Sequence, residues 1–185
     1  MSDCIVEIVN SILDIENLSF LELGTDQGVN FKNILCIDKE SVDINGKATH
    51  NMTTEKFFKT NNRRFDIIFI DADHKSTSVV DDFNSSIEIC NKYIFMHDMY
   101  PPCEEHTAPQ CCNDSYKVLH HMVNVFGITV HTLNTDSGLS FVKIPCNKIG
   151  NLDIYPSNYG EFLNVMRDFR RYTVEEMKDL FKGDL

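Results

Sequence analysis

Carboxylates and imidazoles recur in this sequence at the ends of short apolar runs. Glu22 lies inside the run 18–23, which ends in Gly24-Thr25-Asp26-Gln27-Gly28. Asp43 closes Val42, Asp71 with Asp73 and His74 follows 65–70, and His97-Asp98 follows 93–96. These side chains move protons, hold divalent cations and accept hydrogen bonds from hydroxyls and amines. One acid at a strand end is commonly a helix cap. Repetition at several strand ends points to a ligand edge, because the carboxyl ends of parallel strands open onto one crevice. Glu22 fits that edge, since a carboxylate within an apolar run is costly unless it meets a polar partner. A sharp turn at Gly24 and a close approach at Gly28 are what a strand–turn–helix ligand site needs.

The elements that must position these groups follow from periodicity. Residues 65–71 form the clearest strand, a β-branched and aromatic run suited to burial on both faces of a parallel sheet. Residues 93–96 form a second buried strand. The spacing of Phe31, Ile34 and Leu35 predicts a short helix after Gly28. The next strand is read at 40–44, ending beside Asp43. A strand at 34–37 ending at Asp38 is the rival, and it leaves almost no crossover helix. A short strand at 48–52 precedes a helix capped by Thr53. Val79, Val80, Phe83 and Ile87 follow helical spacing. A polar loop spans 101–113, long enough for a lid or substrate loop. A helix capped by Asp114 or Ser115 is expected to run through Phe126. Strands at 128–133 and 139–144 form an antiparallel hairpin across 134–138. An amphipathic helix is expected at 5–13, and two helices, 158–170 and 174–181, close the chain.

Composition narrows the function classes. The chain has 185 residues, enough for one domain with a substantial core. A net charge of −11 argues against a broad nucleic-acid-binding face. The longest apolar runs are strand-sized, so neither a membrane span nor a signal peptide is expected. Seven cysteines, an odd number, suit a reducing cytoplasm better than a disulfide framework. Cys103, His106, Cys111 and Cys112 lack a Cys-x-x-Cys pair and read as free thiols and a loop histidine rather than a zinc site. A homo-oligomer is compatible with these features.

The ordered set Leu21-Glu22-Leu23-Gly24-Thr25-Asp26-Gln27-Gly28, Val42-Asp43, Phe65-Asp66-Ile67-Ile68-Phe69-Ile70-Asp71-Ala72-Asp73-His74 and His97-Asp98 resembles the class I S-adenosylmethionine-dependent methyltransferases. It is most similar to the small O-methyltransferases associated with glycan and polysaccharide modification in bacteria and large viruses. Tyr100-Pro101-Pro102-Cys103-Glu104-Glu105-His106, Asp114-Ser115-Tyr116-Lys117 and the hairpin ending at Gly138 resemble that branch too. The resemblance spans about residues 20–144. It implies a Rossmann-like α/β fold: a mostly parallel seven-stranded sheet, its last strand antiparallel, with helices on both faces. One domain would cover 1–185, with 145–185 as a C-terminal helical extension.

The resemblance also implies roles. Glu22, Gly24, Thr25, Gln27 and Gly28 would floor the methionine part of S-adenosylmethionine. Asp43 would accept from the ribose hydroxyls, Met52 and Thr53 would lie by the adenine, and Asp71 would sit near the amino group or the transferred methyl. Related O-methyltransferases hold a divalent ion between an acid after the fourth strand and a pair after the fifth. Asp71, His97 and Asp98 match those positions, with manganese or magnesium as the expected ion. The implied reaction is methyl transfer to a hydroxyl of a sugar, glycan or similar small acceptor. Asp71, His74, His97 and Asp98 are the catalytic candidates, with His74 and His97 as bases because each has a carboxylate neighbour. His106, His120 and His121 read as structural. A catalytically silent binding subunit on the same fold is the alternative. A nicotinamide-dependent oxidoreductase is disfavoured, because the first turn lacks Gly-x-Gly-x-x-Gly.

Overall fold

The computed structural model of the chain describes residues 4–135, 137–152 and 155–182. Asp136 of the expected hairpin turn and residues 153–154 and 183–185 of the expected extension lie outside them. The strand Phe65–Ile70 (β4) is buried at every position but Asp66, as a β-branched and aromatic run at a sheet centre should be. It pairs in parallel with Ser19–Leu23 (β1) on one side and Cys90–Met96 (β5) on the other. Asp38–Asp43 (β2) and His50–Asn51 (β3) extend the parallel sheet beyond β1. Ser140–Lys143 (β7) runs antiparallel to β5 and to His131–Leu133 (β6), and Arg171–Tyr172 (β8) pairs in parallel with β6. The order is β3-β2-β1-β4-β5-β7-β6-β8.

Strand alternation divides the core in two. Leu21, Leu23, Ile68, Ile70, Ile94 and Met96 face the helices Ser76–Ile89 (α4), Tyr116–His120 (α5) and Tyr159–Val165 (α6). Phe20, Ile67, Phe69 and Phe95 face Cys4–Val9 (α1) and Val174–Asp179 (α7). Both faces are therefore dry, and the polar ends of the strands are left to converge at one edge. The ladder continues one residue past each strand to fix them there. Gly24 N donates to Val42 O at 2.9 Å, Asp71 N to Leu23 O at 2.8 Å, and His97 N to Ile70 O at 3.0 Å.

Several boundaries differ from the sequence reading. The second strand starts at Asp38, two residues earlier than read, and ends at Asp43. No strand forms at 34–37, because the crossover helix Val29–Asn33 (α2) ends only there. Asp38 lies at the far end of β2, paired with Arg63. Thr53 caps Thr54–Thr60 (α3) by accepting from Lys56 N. The helix expected to reach Phe126 gives way after α5 to a π turn over His121–Val125, where Phe126 N reaches His121 O. The two closing helices are shorter than read and flank β8, an eighth strand in the connection between them. Pairing with the open edge of β6, including Asn134 N to Tyr172 O at 2.9 Å, draws that connection into the sheet.

Candidate active site

The turn after β1 builds the first half of the site. Gly24 adopts φ +87°, and a Cβ on it would lie 2.2 Å from the Asp71 carbonyl oxygen. Only glycine lets the β1 and β4 turns pass so closely. The Asp43 carboxylate holds the turn open. Its Oδ2 accepts from Thr25 N at 2.8 Å and Asp26 N at 2.9 Å, and its Oδ1 from Asn45 N at 2.9 Å. Burial alone would raise its pKa, but these amides win and hold it below the usual carboxylate range.

Glu22, Gly24, Thr25, Gln27, Asp43 and Asp71 line a cavity of about 330 Å³. A second cavity of about 340 Å³ shares Gly24, Asp43 and Ala72 with it and is bounded by Met52 and Thr53. The structure thus brings eight of the residues expected around a cofactor to one cleft. Gly28 supports it from behind: at φ +70° it caps α2 and donates its N–H to Thr25 O at 2.7 Å.

The walls of the first cavity carry unmet polar atoms. Glu22 is 1% exposed, and its Oε2 has no hydrogen-bond partner. Asn30 Oδ1 is likewise buried without a partner, and the buried Thr25 hydroxyl faces only the Glu22 carboxyl. Burial pushes the Glu22 carboxyl up to about 8, with the Asp71 and Asp43 carboxylates adding to the rise and Thr25 and Lys39 opposing it. Buried acceptors of this kind are paired in most native sites, so they mark where a donor belongs.

The second half of the site gathers where β4 and β5 end. His74 Nε2 lies 3.3 Å from Asp71 Oδ1, and its Nδ1 donates to Asp98 Oδ2 at 2.9 Å and to the Cys111 carbonyl at 2.6 Å. His97 Nδ1 stands 3.2 Å from Asp71 Oδ1 and 3.4 Å from Asp98 Oδ1. All four expected catalytic residues therefore meet. Hydrogen bonds to Asp71 and Asp98 push the His74 imidazole up to about 10 against its burial. Burial works to raise both aspartates, but the two imidazoles hold them below their usual range. One ligand atom each from Asp71, His74 and Asp98 lies within 4.8 Å of the others. The metal-type set thus contains His74, with His97 alongside, whereas the resemblance implied His97 in that set.

The loop 101–113 completes this half. Besides Cys111, its Cys112 is buried with its thiol toward Asp98, and Ser115 Oγ donates to Asp98 O at 2.5 Å. Asp114 accepts from Ser76 N at 2.7 Å, tying the loop to the start of α4. The β6–β7 turn docks beside it. A Cβ on Gly138 would lie 2.3 Å from Tyr100 Cβ, and Tyr100 N donates to Ser137 O at 2.8 Å. Cys36, Cys90, Cys103, Cys111, Cys112 and Cys146 are free thiols, and His121 Nδ1 binds the Lys117 carbonyl at 2.8 Å.

Sequence reasoning missed Asn30, Ser78 and Asp82 as cavity residues. Asp82 carried a readable signal, a carboxylate among the apolar positions Val79, Val80 and Phe83 of one helix face.

No protein-family model and no curated protein matches the sequence. Solved structures match its fold. A Staphylococcus aureus protein assigned as a caffeoyl-CoA O-methyltransferase is similar at TM-score 0.59 and 14% identity, over 77% of this chain and 84% of its own. A Klebsiella pneumoniae protein assigned as an O-methyltransferase has TM-score 0.50 and 14% identity, over 69% and 73%. A Streptococcus mutans protein assigned as a SAM-dependent methyltransferase has TM-score 0.51 and 13% identity, over 75% of this chain and 47% of its own. The chain has the Rossmann-like fold of the class I methyltransferases. No helix among the described residues is long and apolar enough to cross a membrane.

Proposed function

We propose that the chain is an S-adenosylmethionine-dependent O-methyltransferase acting on a hydroxyl of a sugar, glycan or similar small acceptor. One observation carries the reading. Asp71 belongs both to the cavity headed by Glu22 and Asp43 and to the cluster with His74 and Asp98, so cofactor and acceptor sites share a wall. The residues fit the cofactor. Glu22 Oε2, Thr25 Oγ1 and Asn30 Oδ1 are buried acceptors awaiting donors, and an ammonium supplies three N–H groups. The surrounding carboxylates favour a cationic ligand. The turn amides take up Asp43 Oδ2, and its Oδ1, which accepts from Asn45 N, is the oxygen left to meet a ribose hydroxyl.

The donor set also fits a divalent ion. Two carboxylates and an imidazole suit manganese or magnesium, the imidazole leaning toward the former. When bound, S-adenosylmethionine supplies a methyl group on a cationic sulfur, and a divalent ion supplies charge that lowers a hydroxyl pKa. Asp71, His74 and Asp98 would hold the ion. Both His74 nitrogens face carboxylates, so without an ion the ring keeps its proton at neutral pH and is a poor general base; to serve as a ligand it would give up the proton on Nε2 as the ion binds. His97 steadies Asp71 and Asp98 from the other side. The loop 101–113 excludes water and shapes the acceptor site. The carboxylate-rich edge favours a neutral acceptor over an anionic one, which suits a sugar hydroxyl. Glycan modification itself rests on the resemblance in sequence, and a cytoplasmic location on the free thiols.

The test is binding, then turnover. S-adenosylhomocysteine should raise the thermal midpoint and NAD should not. Labelled methyl should pass from S-adenosylmethionine to a sugar panel. EDTA should stop transfer, manganese or magnesium should restore it, and Asp71→Asn and Asp98→Asn should each abolish it. Binding without transfer to any acceptor would favour the silent subunit. Full activity in EDTA would remove the metal from the proposal.

A further inference from the structure

Asp82 is a carboxylate on the buried face of α4. Its helix neighbours Val79, Val80 and Phe83 pack in the core, and Asp82 itself is 5% exposed. A carboxyl group so placed is costly unless something polar meets it. The Thr54 hydroxyl at the start of α3 meets it in part. Burial still pushes its pKa up to about 6, and the neighbouring Asp81 and Asp73 carboxylates add to the rise. Asp82 nonetheless belongs to the wall of the 340 Å³ cavity that Asp43, Met52 and Thr53 also line. With Thr54 and Ser78 it bounds a further cavity of about 540 Å³ between α3 and α4.

We propose that Asp82 reads the six-position of the cofactor purine, accepting a hydrogen bond from the adenine amino group and selecting adenosyl over 6-oxopurine cofactors. This rests on the reading that the cleft holds S-adenosylmethionine. Asp43 takes the ribose at the shared boundary of the two cavities, so the base extends into the second. A purine carries its 6-substituent on the ring remote from the sugar, and that edge must meet the polar part of the cavity wall. Thr54, Asp73, Ser78 and Asp82 supply it; Asp73 is exposed and already accepts from Ser78 Oγ at 2.8 Å and Lys75 N at 3.2 Å, so the buried Asp82 carboxyl is the strong acceptor left to the base. An amino group donates to it. A 6-oxo group presents lone pairs instead and leaves the buried carboxyl unmet, which is how a site built for one hydrogen bond rejects the wrong ligand.

A purely structural Asp82, tying α4 to α3 through Thr54, would leave ligand preference unchanged, and this separates the two roles. The wild-type chain should bind S-adenosylhomocysteine at least about tenfold more tightly than S-inosylhomocysteine, as calorimetry would read it. Asp82→Asn keeps the size and an acceptor for Thr54, and its amide can donate to an oxo group. It should narrow the ratio to within about threefold. If that variant fails to fold, Asp82→Ser, whose hydroxyl also donates and accepts, is read the same way. Phe58→Leu, which loosens the packing between α3 and α4 from outside the cofactor cavity and leaves the carboxyl, should keep the wild-type ratio. An unchanged ratio in Asp82→Asn, or its collapse in Phe58→Leu, overturns the assignment. If the wild-type chain binds both nucleosides alike, this assignment alone falls. If it binds neither, the methyltransferase reading falls and takes this one with it.

Discussion

Glu22 is a buried acid in a cavity suited to a cation, so its protonation and ligand binding are linked. Its pKa near 8 means that it is neutral in the ligand-free chain at pH 7. A cationic ligand favours the ionised form, so binding must expel the proton. Calorimetry at pH 7 in buffers of different ionisation enthalpy should show release of about one proton per S-adenosylmethionine bound, and Glu22→Gln should abolish it. An equal release in the variant would place the proton elsewhere. Asp43 offers a second residue-scale test. Asp43→Ala removes a charged acceptor and the clamp on Thr25 and Asp26, and should weaken S-adenosylhomocysteine by roughly 1–3 kcal/mol. Asp38→Ala, at the far end of the same strand, should leave that affinity unchanged.

At the scale of elements, two connections make the site. The β1 turn passes so close to the β4 turn that a methyl on Gly24 would strike the backbone of Asp71 and Ala72, which cannot give way as a side chain could. Gly24→Ala should cost roughly 1–3 kcal/mol of stability by overpacking, and the cofactor affinity with it. An unchanged melting temperature together with unchanged binding would contradict this geometry. The loop 101–113 does different work. It touches His74 through Cys111 O and Asp98 through Cys112, and contributes nothing to the walls of the two cofactor cavities. Replacing it with a short glycine linker should abolish transfer and keep S-adenosylhomocysteine affinity within about threefold, since it acts on acceptor chemistry alone. Loss of both would make the loop a structural support.

Across the whole molecule, the shifted groups shape stability against pH. Glu22 is raised from 4.5 to about 8, so the stability it contributes is full below its unfolded pKa and is lost as pH rises through 8. His74, raised from 6.5 to about 10, acts the same way at higher pH. Asp43, Asp71 and Asp98 are depressed, so their contribution is present above about 3.8 and is lost as pH falls below it. The net charge of −11 adds self-repulsion at neutral pH that eases on acidification. Urea midpoints of the ligand-free, metal-free chain should therefore be highest on the acid side of neutrality. Glu22→Gln should flatten the decline between about pH 4.5 and 8. A maximum at pH 8 or above would contradict these shifts.

The sequence by itself determined the layers and the edge. Period-two and period-3.6 apolar patterns depend on local backbone geometry, so residues 65–70, 93–96 and the helix carrying Val79 and Phe83 were legible without a partner in view. The convergence of Glu22, Asp43, Asp71, His74, His97 and Asp98 followed from the rule that parallel strands share a carboxyl edge. Tertiary structure decided what depends on contacts distant in the chain. β8 exists because β6 leaves an open edge beside it, whereas its own residues carry no strand pattern. The start of β2 is set by pairing with β1, from Ser19 opposite Asp38 onward. The partnership of His74 with both carboxylates, where the metal positions implied by the resemblance held His97 instead, arises because β4 and β5 are neighbours and the loop 101–113 presses Cys111 O onto the ring. The exposure of Asp82 to a cavity rather than to dry core is likewise set by the spacing of α3 and α4. A hydrophobic pattern encodes which face turns inward, and only packing decides what that face finds there.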